Sequence, residues 1–143
     1  MLAREARRED AQAVLDLMAG LGRFLVESDS AAQEDVFLAH LAHPDAMVFV
    51  AEVEGAIAGA VSLWFRPRLN WRSVEAWIPD LYVDRAYRRR GAARVLLDAC
   101  AAAARERGCH RLSLESGHER LEAHQLYEAY GFTNAGRFYA LKL

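Results

Sequence analysis

Lysine is almost missing from this sequence: Lys142 is the only one, and arginine supplies the rest of the 18 basic side chains. A skewed base composition of the genome accounts for that, so the number of arginines carries no functional signal and only their clustering needs a cause. Cysteine is nearly as scarce. Cys100 and Cys109 do not make a disulfide framework, and both are expected in the core, one on a helix and one on a strand. No uncharged apolar run reaches the roughly 18 residues of a spanning helix, which argues against a membrane partner. The opening MLAREARRED lacks the apolar stretch of a secretory signal. A cytoplasmic location is the expectation from these absences. The net charge of −2 likewise gives no reason to expect a nucleic acid across the whole surface.

What is there suits one ordinary domain over residues 1–143, with 53% hydrophobic and 27% charged residues and no repeat, linker or low-complexity tract. Residues 2–6 suit a first strand. From Glu9 to Leu21 the positions Val14, Leu15, Leu17, Met18 and Leu21 fall largely on one helical face. Ser30-Ala31-Ala32-Gln33 has capping-box spacing and opens a second helix that ends at His43-Pro44. Met47–Val53 and Ala56–Phe65 read as a hairpin turned at Glu54-Gly55. A further strand runs from Glu75 to Val83. Pro79 interrupts it, and a proline cannot donate to a ladder, so a bulge, lost pairing or an early strand end is expected there. A helix from Gly91 to Arg107 closes at Gly108, Cys109–Glu115 is a strand, Leu121–Tyr130 a short helix, and Phe132–Leu143 returns as a strand. The order β-α-α-β-β-β-α-β-α-β predicts a mixed α/β (α+β) fold with about four helices, and not a doubly wound parallel sheet.

The basic residues cluster most densely in YRRRGAARVLL, residues 87–97. A strand, a glycine turn and a helix start make an anion site, because the first helical amides lack partners and carry about half a positive charge. Gly91, Ala92 and Ala93 leave the backbone approachable, and Arg88, Arg89, Arg90 and Arg94 add bidentate donors. The segment lacks both the lysine-hydroxyl pair of the nucleotide-hydrolase loop and the triple-glycine dinucleotide fingerprint.

Arg88-Arg89-Arg90-Gly91-Ala92-Ala93 fits [RQ]-x-x-G-x-[GA] instead, and residues 120–132, RLEAHQLYEAYGF, fit a helix ending in LYE-x-x-GF. In these two elements the sequence resembles the GNAT family of N-acetyltransferases, closely from about Ala46 onward and loosely before it. The resemblance implies a single N-acetyltransferase domain whose mixed, mostly antiparallel sheet splays between its fourth and fifth strands. It implies acetyl-CoA as co-substrate, with its pyrophosphate on residues 88–94. It also implies that main-chain groups of Leu81, Tyr82 and Val83 hold the pantetheine arm and polarise the acetyl carbonyl, and that Tyr127 protonates the departing thiolate. Arg120, Ala123, His124 and Tyr127 share one helix face, so Arg120 and His124 join Tyr127 along the coenzyme's path. Many members carry asparagine where this chain has Arg120, which leaves the role of that arginine open.

Acetyl transfer to an amine also needs a base, since an alkylamine of pKa ~10.4 is about one part in a thousand neutral at pH 7. Asp80 and Glu75 on the central strand are the candidates, with Asp80 preferred and Glu115 a third choice; either of the first two also suits a cationic substrate or a plain pair with an arginine. A regular strand sends Glu75 and Asp80 to opposite faces, and a bulge changes that parity. His40 and His43 read as surface residues, His118 and His124 fall nearer the expected site, and no metal is expected. The acceptor is expected against Arg23–Asp29 and RPRLNWRSVEAW, where Arg66, Arg68 and Arg72 attract an acid group and Trp64, Trp71 and Trp77 supply walls. Such tryptophans are more often core, and such arginines more often part of a solvated loop. The expected activity is direct acetylation of a small-molecule primary amine in a ternary complex, and a homodimer is compatible with it. The rivals are a protein N-terminus or lysine as acceptor, and a non-catalytic module for acyl-CoA or RNA. RNA binding needs interleaved aromatics, and the basic patch offers only Tyr87.

Overall fold

A computed structural model of the chain describes residues 1–21 and 30–143. Two compact units divide it, Met1–Ser113 and Leu114–Leu143. In chain order the first carries strand β1 (Leu2–Glu5), helices α1 (Ala11–Ala19) and α2 (Ser30–Ala42), and strands β2 (Ala46–Val53), β3 (Ala56–Pro67), β4 (Val74–Ile78) and β5 (Leu81–Val83). Helix α3 (Ala92–Glu106) follows, then β6 (Leu112–Leu114), whose last residue begins the second unit, and α4 (Leu121–Tyr130) belongs to that unit. The sheet runs β1-β2-β3-β4-β6, with β5 also paired to β3. No helix among the described residues is long and apolar enough to cross a membrane.

The β2–β3 hairpin explains the register. Glu54 and Gly55 both have positive φ, 51° and 81°, the geometry whose twist matches that of paired strands. Alternation then sorts the side chains. Val48, Val50 and Ala60 turn to one face and pack with Val14, Leu17 and Phe37 of α1 and α2. The other face meets α3: Leu96 lies close to Gly59, and the Arg107 guanidinium sits 4.1 Å above the Phe65 ring. Arg4 ties β1 to the start of α1, reaching both Asp10 oxygens (2.8 and 2.9 Å) and Glu52 (2.7 Å).

Pro79 marks a bulge. β3 pairs antiparallel with β4 as far as Trp64–Trp77 and with β5 from Val61–Leu81 onward. Stepping regularly from Trp64–Trp77 would set Val61 opposite Asp80, so one additional residue is accommodated between β4 and β5. Pairing with β3 survives on both sides, and the Ser62 amide donates to the Asp80 carbonyl at 2.9 Å. On the opposite edge, β4 is joined by Ala76 N–H to the Arg111 carbonyl (3.0 Å) and His110 N–H to the Val74 carbonyl (3.3 Å). Past the bulge, β5 has β3 as its partner and no other among the described residues. The sheet therefore opens where the fourth strand continues as β5.

Helix α3 begins after Gly91 (φ 88°) and closes in a Schellman arrangement, with Cys109 N–H on the Ala104 carbonyl and Gly108 N–H on the Arg105 carbonyl. That bond uses the Cys109 amide, so the expected strand from Cys109 shrinks to Leu112–Leu114. Helix α4 matches its expected bounds and stops at Gly131, φ 122°. The expected last strand over Phe132–Leu143 does not form: residues 133–143 carry no regular structure and are exposed. A strand is stable only with a ladder to join.

Candidate active site

The loop before α3 presents amides. Asp84 accepts from the Ala86 amide at 2.7 Å, fixing a short turn over Arg85–Tyr87. Arg89 (φ 61°) and Gly91 (φ 88°) then take left-handed backbone, which swings successive N–H groups into a concavity. No side chain caps α3, and its first intrahelical bond runs from Val95 N–H to the Gly91 carbonyl. The amides of Ala92, Ala93 and Arg94 therefore precede the helical ladder. Nothing lies within 4 Å of where a Gly91 side chain would begin, so the approach is open. Arg88 is held in place, its Nε donating to the Val83 carbonyl at 3.3 Å and its guanidinium 5.5 Å from the Tyr82 ring. Arg90 lies 6.0 Å from the Tyr87 ring, and Arg89, Arg90 and Arg94 are exposed.

The three β5 residues divide by function. The Ser62–Asp80 and Asp84–Ala58 backbone bonds set the alternation of the ladder, which turns the main-chain groups of Tyr82 toward Ala60 and those of Leu81 and Val83 to the open edge. The expectation for Tyr82 is thus corrected: its amide and carbonyl serve the sheet. Its ring instead packs over the end of α1, where a side chain on Gly20 would meet it at 2.5 Å.

The bulge decides which carboxylates share a face. Asp80 accepts from the Ser62 hydroxyl at 3.1 Å, and Glu75 from Arg66 at 3.1 Å. Ser62 and Arg66 are four residues apart on β3, hence on one face, the face that carries α1 and α2. Asp80 and Glu75 thus lie on the same side despite their odd spacing. Between them, Trp64 stands opposite Trp77. The Trp64 indole donates to His40 at 3.3 Å, and Arg66 lies 4.4 Å over Trp77.

Glu75 is fully buried and saturated. Arg68 (2.5 Å), Arg66 (3.1 Å), Arg111 (3.3 Å) and the Ser113 hydroxyl (2.5 Å) all donate to it. Burial pushes its pKa up, but Ser113, Arg66 and Arg68 more than offset that, and the carboxyl sits at about 2. Such a group is a weak base at neutral pH. Asp80 is half-buried with one hydroxyl on it, so the geometry favours it over Glu75. Arg111 and Ser113 are partners that sequence reasoning missed. Arg72 stands apart from this cluster in the exposed β3–β4 turn, where Trp71 stacks at 4.7 Å on His110. The acceptor residues expected at Arg23–Asp29 fall outside the described residues, as does the Ser30 side chain.

In the second unit, Arg120, Ala123, His124 and Tyr127 fall on the more covered side of α4. Tyr127 is 8% exposed and packs edge-on to Phe132 at 5.9 Å. Its carbonyl accepts from the amides of Gly131 and Phe132. His124 Nε2 donates to the Gly117 carbonyl at 2.8 Å. Arg120 is the residue from which α4 starts, and Glu115 lies half-buried before it. Cys100 is buried and Cys109 half-buried, and burial pushes the Cys100 thiol up to about 12 and raises that of Cys109.

The sequence pattern of the acetyltransferase (GNAT) family matches residues 12–132. N-acetyltransferase 8 of Homo sapiens is 28% identical over 103 residues, covering 72% of this chain and 45% of that protein, so the chain spans about half of this relative. The uncharacterized N-acetyltransferase YhfO of Bacillus subtilis (strain 168) is 28% identical over 135 residues, 92% of this chain and 89% of that one. A solved structure of a putative acetyltransferase from Agrobacterium tumefaciens superposes over 100% of both chains with a TM-score of 0.89 and 25% identity.

Proposed function

Because the chain belongs to the acetyltransferase (GNAT) family, whose co-substrate is acetyl-CoA, we propose that it acetylates the primary amine of a small molecule directly, in a ternary complex. The observation that carries this reading is the bulge at Pro79-Asp80, which opens the sheet beside a strand that leads straight into an amide-lined loop. The residues fit the coenzyme. The amides of Ala92, Ala93 and Arg94, with Arg88 and Arg90, would hold a pyrophosphate. The open-edge groups of Leu81 and Val83 would pair with the amides of a pantetheine arm, as an added strand does.

Bound acetyl-CoA supplies an activated thioester, and the chain's own residues do the rest. Raising a neutral amine at pH 7 from one of pKa ~10.4 costs about 4–5 kcal/mol. Asp80 takes that proton, directly or through water, while Glu75 stays locked to its arginines. A main-chain amide of β5 donates to the carbonyl oxygen as charge develops there. Tyr127 returns a proton to the thiolate, and residues 1–143 act as one N-acetyltransferase domain. Free-thiol release from acetyl-CoA across a panel of amines tests the proposal. Release with small amines supports it, release with peptides alone moves the acceptor to a protein, and silence with intact coenzyme binding refutes transfer.

A further inference from the structure

We infer that the arginines around Glu75 form a receptor for an anionic group carried by the acceptor, so that the substrate is an amine with an acid group several bonds away. The inference rests on the proposed site of transfer at the bulge. One carboxylate faces three guanidinium groups, leaving an excess of two positive charges. Glu75 has no capacity left: its two oxygens already take three arginines and a serine hydroxyl. The arginines do have capacity. Each has five donors, and their side chains are 38%, 36% and 51% exposed at Arg66, Arg68 and Arg111. Arg66 Nε is buried without a hydrogen-bond partner, an omission that a second acceptor would repair.

A buried glutamate that aligns forked donors creates a preorganised seat for a carboxylate or phosphoryl group. Glu75 is here a positioning residue. The seat shares a face with Asp80, four β3 residues away, which is about 13 Å at ~3.3 Å per residue, and the long arginine side chains shorten that gap. An α-amino acid, whose two charged groups share one carbon, cannot reach from one to the other. An ω-amino acid or a short peptide-like acid can, with Trp77 beneath it.

The test compares acids with their amides. Thiol release is followed with glycine, γ-aminobutyrate and ε-aminocaproate, each beside the corresponding carboxamide. Wild type should favour a long acid over its amide about tenfold to a hundredfold in kcat/KM, the scale of a charge-assisted hydrogen bond. The difference should lie in KM, and glycine should gain nothing. Arg68→Gln and Arg111→Gln should each lower kcat/KM for the acid far more than for its amide. Equal rates for acid and amide in wild type overturn the receptor and reduce the cluster to an internal ion pair, and that comparison needs no variant. Calorimetric titration of ε-aminocaproate reads the seat without turnover. Binding that Arg68→Gln weakens, in a protein that acetylates nothing, would keep the seat and sink the transfer reading. Acetylation of neutral amines with no binding of the acid would do the reverse.

Discussion

Replacing Glu75 by glutamine removes one charge from a fully buried position while preserving volume. The carboxyl sits at about 2 in the folded protein, against about 4.5 for a free glutamate side chain. At ~1.4 kcal/mol per pH unit that difference is worth about 3 kcal/mol at neutral pH. Because the folded value is the lower one, this stabilisation is complete above about pH 5 and is lost as pH falls through about 2. In a chain of this size, 3 kcal/mol corresponds to about 10 °C in Tm. Urea unfolding of wild type and E75Q should therefore differ by about 3 kcal/mol at pH 7, with the gap closing toward pH 2.5. Asp10, whose carboxyl Arg4 also holds below its usual range, is present in both proteins and cancels from the comparison. A gap that is the same at pH 7 and pH 3 would show that glutamine merely packs badly. A gap below about 1 kcal/mol would show that water serves the three guanidinium groups as well as Glu75 does.

A methyl group added at Gly59 would lie 2.9 Å from the Tyr82 carbonyl oxygen and 3.1 Å from Val83, so G59A should cost about 2 kcal/mol by pushing β5 off β3; an unchanged Tm would refute that packing. Acetyl-CoA should raise Tm by mass action, and replacing Arg88 and Arg90 by alanine should weaken its binding at least about tenfold, which isothermal titration would detect. Y127F should keep coenzyme affinity and slow turnover about a hundredfold or more, and unchanged turnover would remove Tyr127 from the proton path. With its thiol pushed up to about 12 by burial, Cys100 should resist a thiol reagent at pH 8 until the protein unfolds, and rapid labelling of the native protein would contradict its burial.

Features written in local chemistry were legible in advance. The Glu54-Gly55 turn, the α3 start at Gly91 and the α4 bounds each follow from a few neighbouring residues. The break at Pro79 was visible too, but its form was not. A bulge is defined by the opposite strand, and only the resumed pairing with β3 shows that one residue was inserted and that Glu75 and Asp80 share a face. An arginine pair at Glu75 was among the alternatives, but its full set of partners was hidden for the same reason. Arg111 and Ser113 lie 36 and 38 residues away in sequence, and no local pattern links them to it. Residues 133–143 failed in the opposite direction, since the expected strand forms no ladder among the described residues.

The inserted residue makes the central strand sensitive to length in a way that substitution would never reveal. A single deletion at Pro79 would remove the bulge and leave Leu81 opposite Val61, Tyr82 opposite Ala60 and Val83 opposite Gly59, so β5 would keep its facing and lose the opening beside it. A two-residue deletion would slip β5 by one place against β3, sending the Tyr82 ring toward α3 and turning the outward main-chain groups inward. A loop graft here is thus constrained by parity before chemistry, since the wrong count would invert the edge that Leu81 and Val83 present while leaving every other element intact.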